Sequence, residues 1–249
     1  MRVFYGGGGE MLFFFRPIID SEKSAYRLRA RLMRRMRREG KIGCAGPVAR
    51  NGNAYDDGLD AARFPKLAAG MEKAGFAVSE RRIRYRVPPE RLDALKAVSE
   101  WARERFSVAV RPFEPYRRRA DAEKYVEIAQ TVAPVGRQAV YRMLSANARR
   151  FRSGFCLLAE RNGEAAGAIL VGREGSEAVV YTLVTAPGSR RCGVTACLLY
   201  QAGVCGRRAG ITGIRTGTVS EGNEDSRALI ENLGAVPDGD VLIYKLINN

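Results

Sequence analysis

The same order of strand, proline, helix and glycine occurs twice in this chain. Phe14-Phe15-Arg16-Pro17 leads through a short loop and a helical stretch to Arg37-Arg38-Glu39-Gly40. Val184-Thr185-Ala186-Pro187 leads likewise to Arg207-Arg208-Ala209-Gly210, with the same spacing from proline to glycine. In both copies an apolar strand runs into a proline, which cannot continue a central ladder. Each helix then ends in two arginines and a glycine, which suits cations at the negative helix end and a left-handed residue beyond it. The match continues: Ala61–Ala74 is a helix closed by Gly75-Phe76 before a strand over Ile83–Val87, and Asp225–Leu233 is a helix closed by Gly234-Ala235 before a strand over Val241–Ile247. A repeated unit of this kind dictates a layered α/β fold.

The second copy has more in front of it. A strand over Val108–Arg111, helices over Ala122–Gln130 and Gln138–Arg149, and strands over Phe155–Glu160, Ala166–Val171 and Ala178–Val184 are expected there. Asn162-Gly163 is a two-residue hairpin signal. The first copy has only a short strand, a Gly6–Gly9 turn and the Met11–Phe15 strand ahead of its helix. Three regions are therefore expected: a partial unit over 1–90, a connecting helix within 91–107 (Leu92–Arg105, entered at Pro88-Pro89), and a complete unit over 108–249.

Composition removes several chemistries. The chain has no histidine and 5 cysteines, Cys44, Cys156, Cys192, Cys197 and Cys205, none in a C-x-x-C pair. Ser-His-Asp and Cys-His nucleophile systems are excluded, no metal site is expected, and free thiols in a reducing compartment fit best. No apolar run approaches the roughly 20 residues of a membrane span, and the N-terminus lacks the apolar stretch of a signal peptide. A cytoplasmic setting is expected. The net charge is +15, and the first 110 residues hold 23 basic and 13 acidic side chains. A basic surface attracts anions. The helix Tyr26–Glu39 concentrates Arg27, Arg29, Arg31, Arg34, Arg35, Arg37 and Arg38, yet no aromatic residues interleave them for base stacking. That helix reads as a solvated face over Leu28, Leu32 and Met36.

The segment that carries chemistry is Tyr181–Thr195, which runs from a strand over Val179–Val184 into a helix over Ala196–Arg208. A strand, a glycine-containing loop (Thr185 to Thr195) and a helix N-terminus together make an anion site, because first-turn N–H groups lack helical partners and the macrodipole adds positive charge. Arg190 and Arg191 add charge-assisted donors, and Gly193 lets the backbone approach a diphosphate. The spacing fits neither a Walker loop nor a dinucleotide fingerprint.

With this loop the sequence resembles the GNAT superfamily of acyl-coenzyme A-dependent N-acyltransferases. The family loop (Q/R)-x-x-G-x-(G/A) is matched by Arg190-Arg191-Cys192-Gly193-Val194-Thr195, with Thr195 departing from the small residue. The later family segment is matched by Asn223, Ser226, Leu229, Ile230, Gly234 and Ala235. The resemblance covers 108–249 and implies a mixed, splayed α/β sheet flanked by helices, preceded by a partial copy. It implies acetyl-CoA as co-substrate, held by Leu183, Val184, Thr185, Arg190, Arg191, Cys192, Gly193, Val194, Thr195, Asn223 and Ser226. It also implies direct transfer of an acyl group, acetyl first, to the amine of a small molecule or peptide, with the carbonyl polarised by a backbone N–H of Leu183–Thr185.

The family's usual proton donor, a tyrosine, is replaced by Ile230, and its strand glutamate by Val179. Tyr181 and Glu177 are the substitutes to consider as donor and base. The first copy carries Asp20-Ser21-Glu22 where the loop arginines stand, which would repel a diphosphate, so one cofactor per chain is expected. Nucleic acid and membrane are not the expected partners, and a homodimer is compatible. Two other readings remain: a non-catalytic acyl-CoA-binding module, and a nucleic-acid-binding protein using the basic first half.

Overall fold

The computed structural model of the chain describes residues 5–8, 11–15, 22–41, 43–48, 58–132 and 135–247. In chain order these form β1 (Tyr5–Gly8), β2 (Met11–Phe15), α1 (Glu22–Glu39), β3 (Gly43–Val48), α2 (Pro65–Lys73), β4 (Ala77–Val87), α3 (Lys96–Phe106), β5 (Val108–Pro112) and α4 (Arg119–Val132). There follow α5 (Arg137–Ala146), α6 (Ala148–Ser153), β6 (Phe155–Arg161), β7 (Glu164–Glu174), β8 (Glu177–Thr185), α7 (Val194–Arg208), β9 (Gly213–Thr216), β10 (Val219–Ser220), α8 (Glu224–Asn232) and β11 (Val236–Ile247). The chain is a mixed α/β protein.

It divides into two compact units. The first comprises residues 1–85, 218–228 and 237–249, and the second 86–217 and 229–236. In the first, β3 lies between β2, which it pairs in parallel, and β11, which it pairs antiparallel. This is why the C-terminal strand falls with the first 85 residues. On α1, Ala25, Leu28, Leu32 and Met36 are fully buried and pack with Met71, Phe76 and Tyr244. Their three- and four-residue spacing gives one apolar stripe, and the arginines between them take the other faces. The first-copy glycines correct one expectation: Gly6, Gly7 and Gly8 lie inside β1, paired with β2, and do not form the turn. Pro17, Asp20, Ser21 and the stretch 55–57 lie outside the described residues.

The second unit is a sheet in the order β9-β8-β7-β6-β5, antiparallel except for the parallel β8–β9 pair. The last two residues of β4 pair antiparallel with β9 on its outer side. The expected hairpin at Asn162-Gly163 is present, and both residues have positive φ, 54° and 83°, as a two-residue turn between twisted strands requires. One core joins α3 and α7 to the sheet through Ala102, Leu157, Ile169, Val171, Ala178, Leu198 and neighbours. Each fully buried leucine of this kind contributes about 1.5–3 kcal/mol.

Two expected helices differ. The connecting helix is a 3-10 stretch over Pro89–Leu95 that becomes α-helical only from Lys96 and ends where Ser107 turns left-handed, at φ 52°. The helix over Gln138–Arg149 is interrupted at Asn147. Its buried carboxamide donates to the Met143 carbonyl at 2.8 Å, a side-chain bond that competes with the helical ladder.

Candidate active site

The β8–β9 pair is short. Glu177, Ala178, Val179 and Val180 pair with Gly213, Ile214, Arg215 and Thr216. The Gly217 amide still reaches the Val180 carbonyl at 2.8 Å, and there the pairing stops. From Tyr181 to Thr185, β8 is paired with β7 alone among the described residues. The sheet is therefore splayed, leaving main-chain groups of Thr182–Thr185 without strand partners on one side. Such groups are obligatory hydrogen-bonding atoms and constitute a ready docking edge.

The split begins at a β-bulge. Thr182 stands opposite Leu170 and Val180 opposite Val171, so Tyr181 is an extra residue. A bulge puts neighbouring side chains on one face and reverses the alternation beyond it. The Tyr181 ring packs edge-on against Phe151 of α6, with ring centroids 5.7 Å apart. Thr182 accepts a hydrogen bond from the Tyr125 hydroxyl of α4 at 3.3 Å. Leu183, next along, belongs to the α3–α7 core instead. Strict alternation from the sequence cannot show that change of face.

At its end β8 passes Ala186, turns through a 3-10 stretch at Pro187–Ser189, and enters α7. Gly193 is the N-cap at φ 75°, and no side chain caps the helix. The first-turn amides of α7 therefore have no capping acceptor, the condition for binding an anion. Arg190 and Arg191 flank this turn with exposed side chains. The sequence missed Arg161, the last residue of β6. Its guanidinium donates to the Gly188 carbonyl at 2.9 Å and to the Cys192 sulfur at 3.3 Å, bracing the loop. An arginine closing a hairpin near Asn162-Gly163 was the available signal.

Gly193 has a further role. A β-carbon there would stand 2.5 Å from the β-carbon of Ala102 on α3, so the glycine is required for helix packing as well as for its left-handed backbone. Thr195, which departs from the family's small residue, has its hydroxyl 2.9 Å from that of Thr185. The pair ties the strand end to the first helical turn.

The two proton-transfer candidates are both engaged. Glu177 accepts from Arg86 at 2.5 Å and from Arg215 at 2.6 Å, one guanidinium on each carboxylate oxygen. It lies eight residues before Thr185, roughly 26 Å along an extended strand. The Tyr181 hydroxyl donates to Glu174 at 3.0 Å, and Arg150 covers its ring at 5.5 Å from the centroid. Asn223 and Ser226 belong to the first unit. There the Asn223 side chain accepts from the Ser226 amide at 3.1 Å and caps α8. Ile230 is half-buried in the second unit. Among the described residues no cluster of acidic, cysteine or histidine side chains could hold a metal, and no helix is long and apolar enough to cross a membrane.

A splayed mixed sheet, bulged at the split and running into an uncapped helix N-terminus, is the architecture of the GNAT fold. The chain belongs to the acetyltransferase (GNAT) family, whose model matches residues 95–235. Members of this family use acetyl-CoA as co-substrate. No curated protein matches the chain in sequence. Among solved structures it is similar to a tandem GNAT protein from the clavulanic acid biosynthesis pathway, at TM-score 0.64 and 15% identity over 96% of this chain and 76% of that one. It is also similar to a GCN5-related N-acetyltransferase from Sphaerobacter thermophilus, at TM-score 0.62 and 14% identity over 96% and 73% of the two chains. A functionally unknown conserved protein from Staphylococcus epidermidis has TM-score 0.56 and 10% identity over 96% and 85%. These likenesses concern the fold.

Proposed function

We propose that this chain moves an acetyl group from acetyl-CoA to a primary amine by direct transfer in a ternary complex. The observation that carries the reading is the split after Val180, which ends beside the uncapped N-terminus of α7. The donor set fits the co-substrate. First-turn amides of α7 with Arg190 and Arg191 suit a diphosphate, and the main-chain groups of Leu183–Thr185 suit an extended amide-bearing arm and its carbonyl. When bound, the thioester supplies the activated acyl carbon. The chain's own work is to orient it, to polarise its carbonyl through a β8 amide, and to hold the amine in line.

Neither candidate side chain is assigned a proton-transfer step. Glu177 holds Arg86 and Arg215 across the paired end of β8, and Tyr181 fixes the bulge through Glu174 and Phe151. Ile230, at the family's tyrosine position, has no proton to donate. The leaving thiolate is a weak enough base to depart as the anion and be protonated afterwards by water. The N-terminal half is read as a partial, degenerate copy of the same unit. Both copies place a parallel strand pair around a helix, β2–α1–β3 and β8–α7–β9. Their helices end on equivalent left-handed glycines: Gly40 and Gly210 at φ 62° and 67°, Gly75 and Gly234 at 83° and 69°. In each, the outer antiparallel neighbour comes from the other copy: β11 beside β3, and the end of β4 beside β9.

The test is amine-dependent thiol release from acetyl-CoA by the full chain, with the N-acetylated product identified by mass spectrometry. Acetyl-CoA binding without release for any amine would leave a non-catalytic acyl-CoA-binding module.

A further inference from the structure

On the α4–α6 face of the second unit lies a cavity of about 620 Å³, lined by Pro115 to Arg119, Ala122, Glu123, Arg137, Gln138, Tyr141 and Ser145. Its position relates it to the split strand. Tyr116, in its wall, has its ring 6.4 Å from that of Phe151, and Phe151 in turn meets Tyr181 at the bulge. Ala122, another wall residue, is one turn of α4 before Tyr125, which bonds Thr182. The cavity thus opens off the same sheet face as Tyr181 and Thr182.

Its walls are strongly cationic. Arg117, Arg118, Arg119 and Arg137 line it together. Two carboxylates answer these four guanidiniums: Glu114 pairs with Arg117 at 3.8 Å and Arg118 at 3.2 Å, and Glu123 pairs with Arg119 at 3.8 Å and with Arg137. The neighbouring Tyr141 hydroxyl and the Arg137 and Arg119 guanidiniums hold the Glu123 carboxyl below its ordinary range. Two positive charges are left over. The side chains of Arg117, Arg118 and Arg119 are 73%, 72% and 91% exposed, so most of their donors are available. Arg117 and Arg118 lead into α4 and Arg119 is its first residue, at the end where the helix dipole is itself positive. Charge of one sign gathered around a concavity is costly without a counter-ion and focuses field onto an anion.

We infer that this cavity receives an anionic group, a carboxylate or a phosphate-type oxyanion, carried by the amine acceptor. The inference rests on the acyl-transfer reading for the word acceptor, but the anion site can be measured without it. A planar guanidinium pairs with either oxyanion through two parallel hydrogen bonds. The acceptor is then an amine with an acidic tail: its amine directed toward the β8 split, its anion held by Arg117, Arg118, Arg119 and Arg137.

The experiment uses the full chain and three amines with the same two-carbon spacer between nitrogen and the terminal group: 3-aminopropanoate, 2-aminoethylphosphonate and 3-aminopropanamide. Each is titrated by calorimetry and assayed for thiol release from acetyl-CoA. The anionic amines are expected to bind, and to react in kcat/KM, about tenfold or more better than the amide. Arg117→Gln/Arg119→Gln, at exposed side chains, should reduce that preference to about threefold or less at unchanged melting temperature. Arg142→Gln, an exposed arginine of α5 outside the cavity, should keep it. The carboxylate and phosphonate arms decide which oxyanion is preferred. Equal binding of the amide, or equal loss with Arg142→Gln, would overturn the inference. So would weaker acetyl-CoA binding by the double variant, which would assign the arginines to the co-substrate. If no amine is acetylated yet the anionic amines bind through Arg117 and Arg119, the anion site stands and acyl transfer fails.

Discussion

The hydroxyls of Thr185 and Thr195 lie 2.9 Å apart, one on the last residue of β8 and the other in the first turn of α7. Both side chains are half-buried, so the bond is partly shielded from water. It closes the loop that leads from the split strand into the anion-binding turn. Thr195→Ala, which restores the family's small residue, should cost about 0.5–1.5 kcal/mol of stability. Thermal melting measures this directly. An unchanged melting temperature would show that the pair does not hold the loop.

Gly193 is constrained twice, by its left-handed φ of 75° and by Ala102 at 2.5 Å from any added β-carbon. Gly193→Ala should destabilise the second unit by about 1–3 kcal/mol through overpacking, with a backbone cost in addition. This packing constraint stands beside the sequence reading of Gly193 as a point of close backbone approach to a diphosphate. Loss of acetyl-CoA binding in such a variant would accompany unfolding. Arg190→Gln/Arg191→Gln is the cleaner probe, since both side chains are exposed: acetyl-CoA affinity should fall several-fold at constant melting temperature.

Glu177→Gln and Tyr181→Phe separate holding from proton transfer. Each removes a charge-assisted bond in the second unit, Arg86 and Arg215 on one side and Glu174 on the other. A stability loss of about 1–3 kcal/mol is expected, with turnover reduced less than tenfold at temperatures where the variant is folded. A positioned acid or base contributes about 10²–10⁴-fold. A fall of that size at native stability would make the residue catalytic.

Stability should decline in alkali. Burial pushes the Cys156 thiol from 9.0 up to about 12 and the Tyr125 hydroxyl from 10.0 up to about 12. Both groups are neutral when protonated, so the unfolded chain releases these protons at lower pH than the folded one. Their contribution is complete below about pH 9 and is lost as pH rises toward 12. Melting temperature should be level to about pH 9 and then fall, and Cys156→Ala should make the fall shallower. A slope unchanged in that variant would contradict the assignment.

Much of the second unit was legible because its signals are local. The strands of 155–184 announce themselves by β-branched and apolar runs, and Asn162-Gly163 fixes their turn. The loop from Thr185 to Thr195 is readable for the same reason: glycine, arginine and a following helix lie within a dozen residues. What was not legible depends on distant partners. Arg86 reaches Glu177 across 91 residues of sequence, and nothing near either residue signals it. The bulge at Tyr181 is a property of the β7–β8 register, so the switch of Leu183 to the α3–α7 core could not be seen from alternation. The pairing of β11 with β3 likewise joins residues far apart in the chain. Asn147, read as part of a continuous helix, broke it through a side-chain bond that propensity does not register.

The central claim is that one intact loop, that of the second copy, holds the co-substrate. Calorimetric titration of acetyl-CoA into the full chain tests it most directly. The account predicts one site per chain, weakened by Arg190→Gln/Arg191→Gln. Two equivalent sites, or a single site indifferent to those arginines, would contradict it.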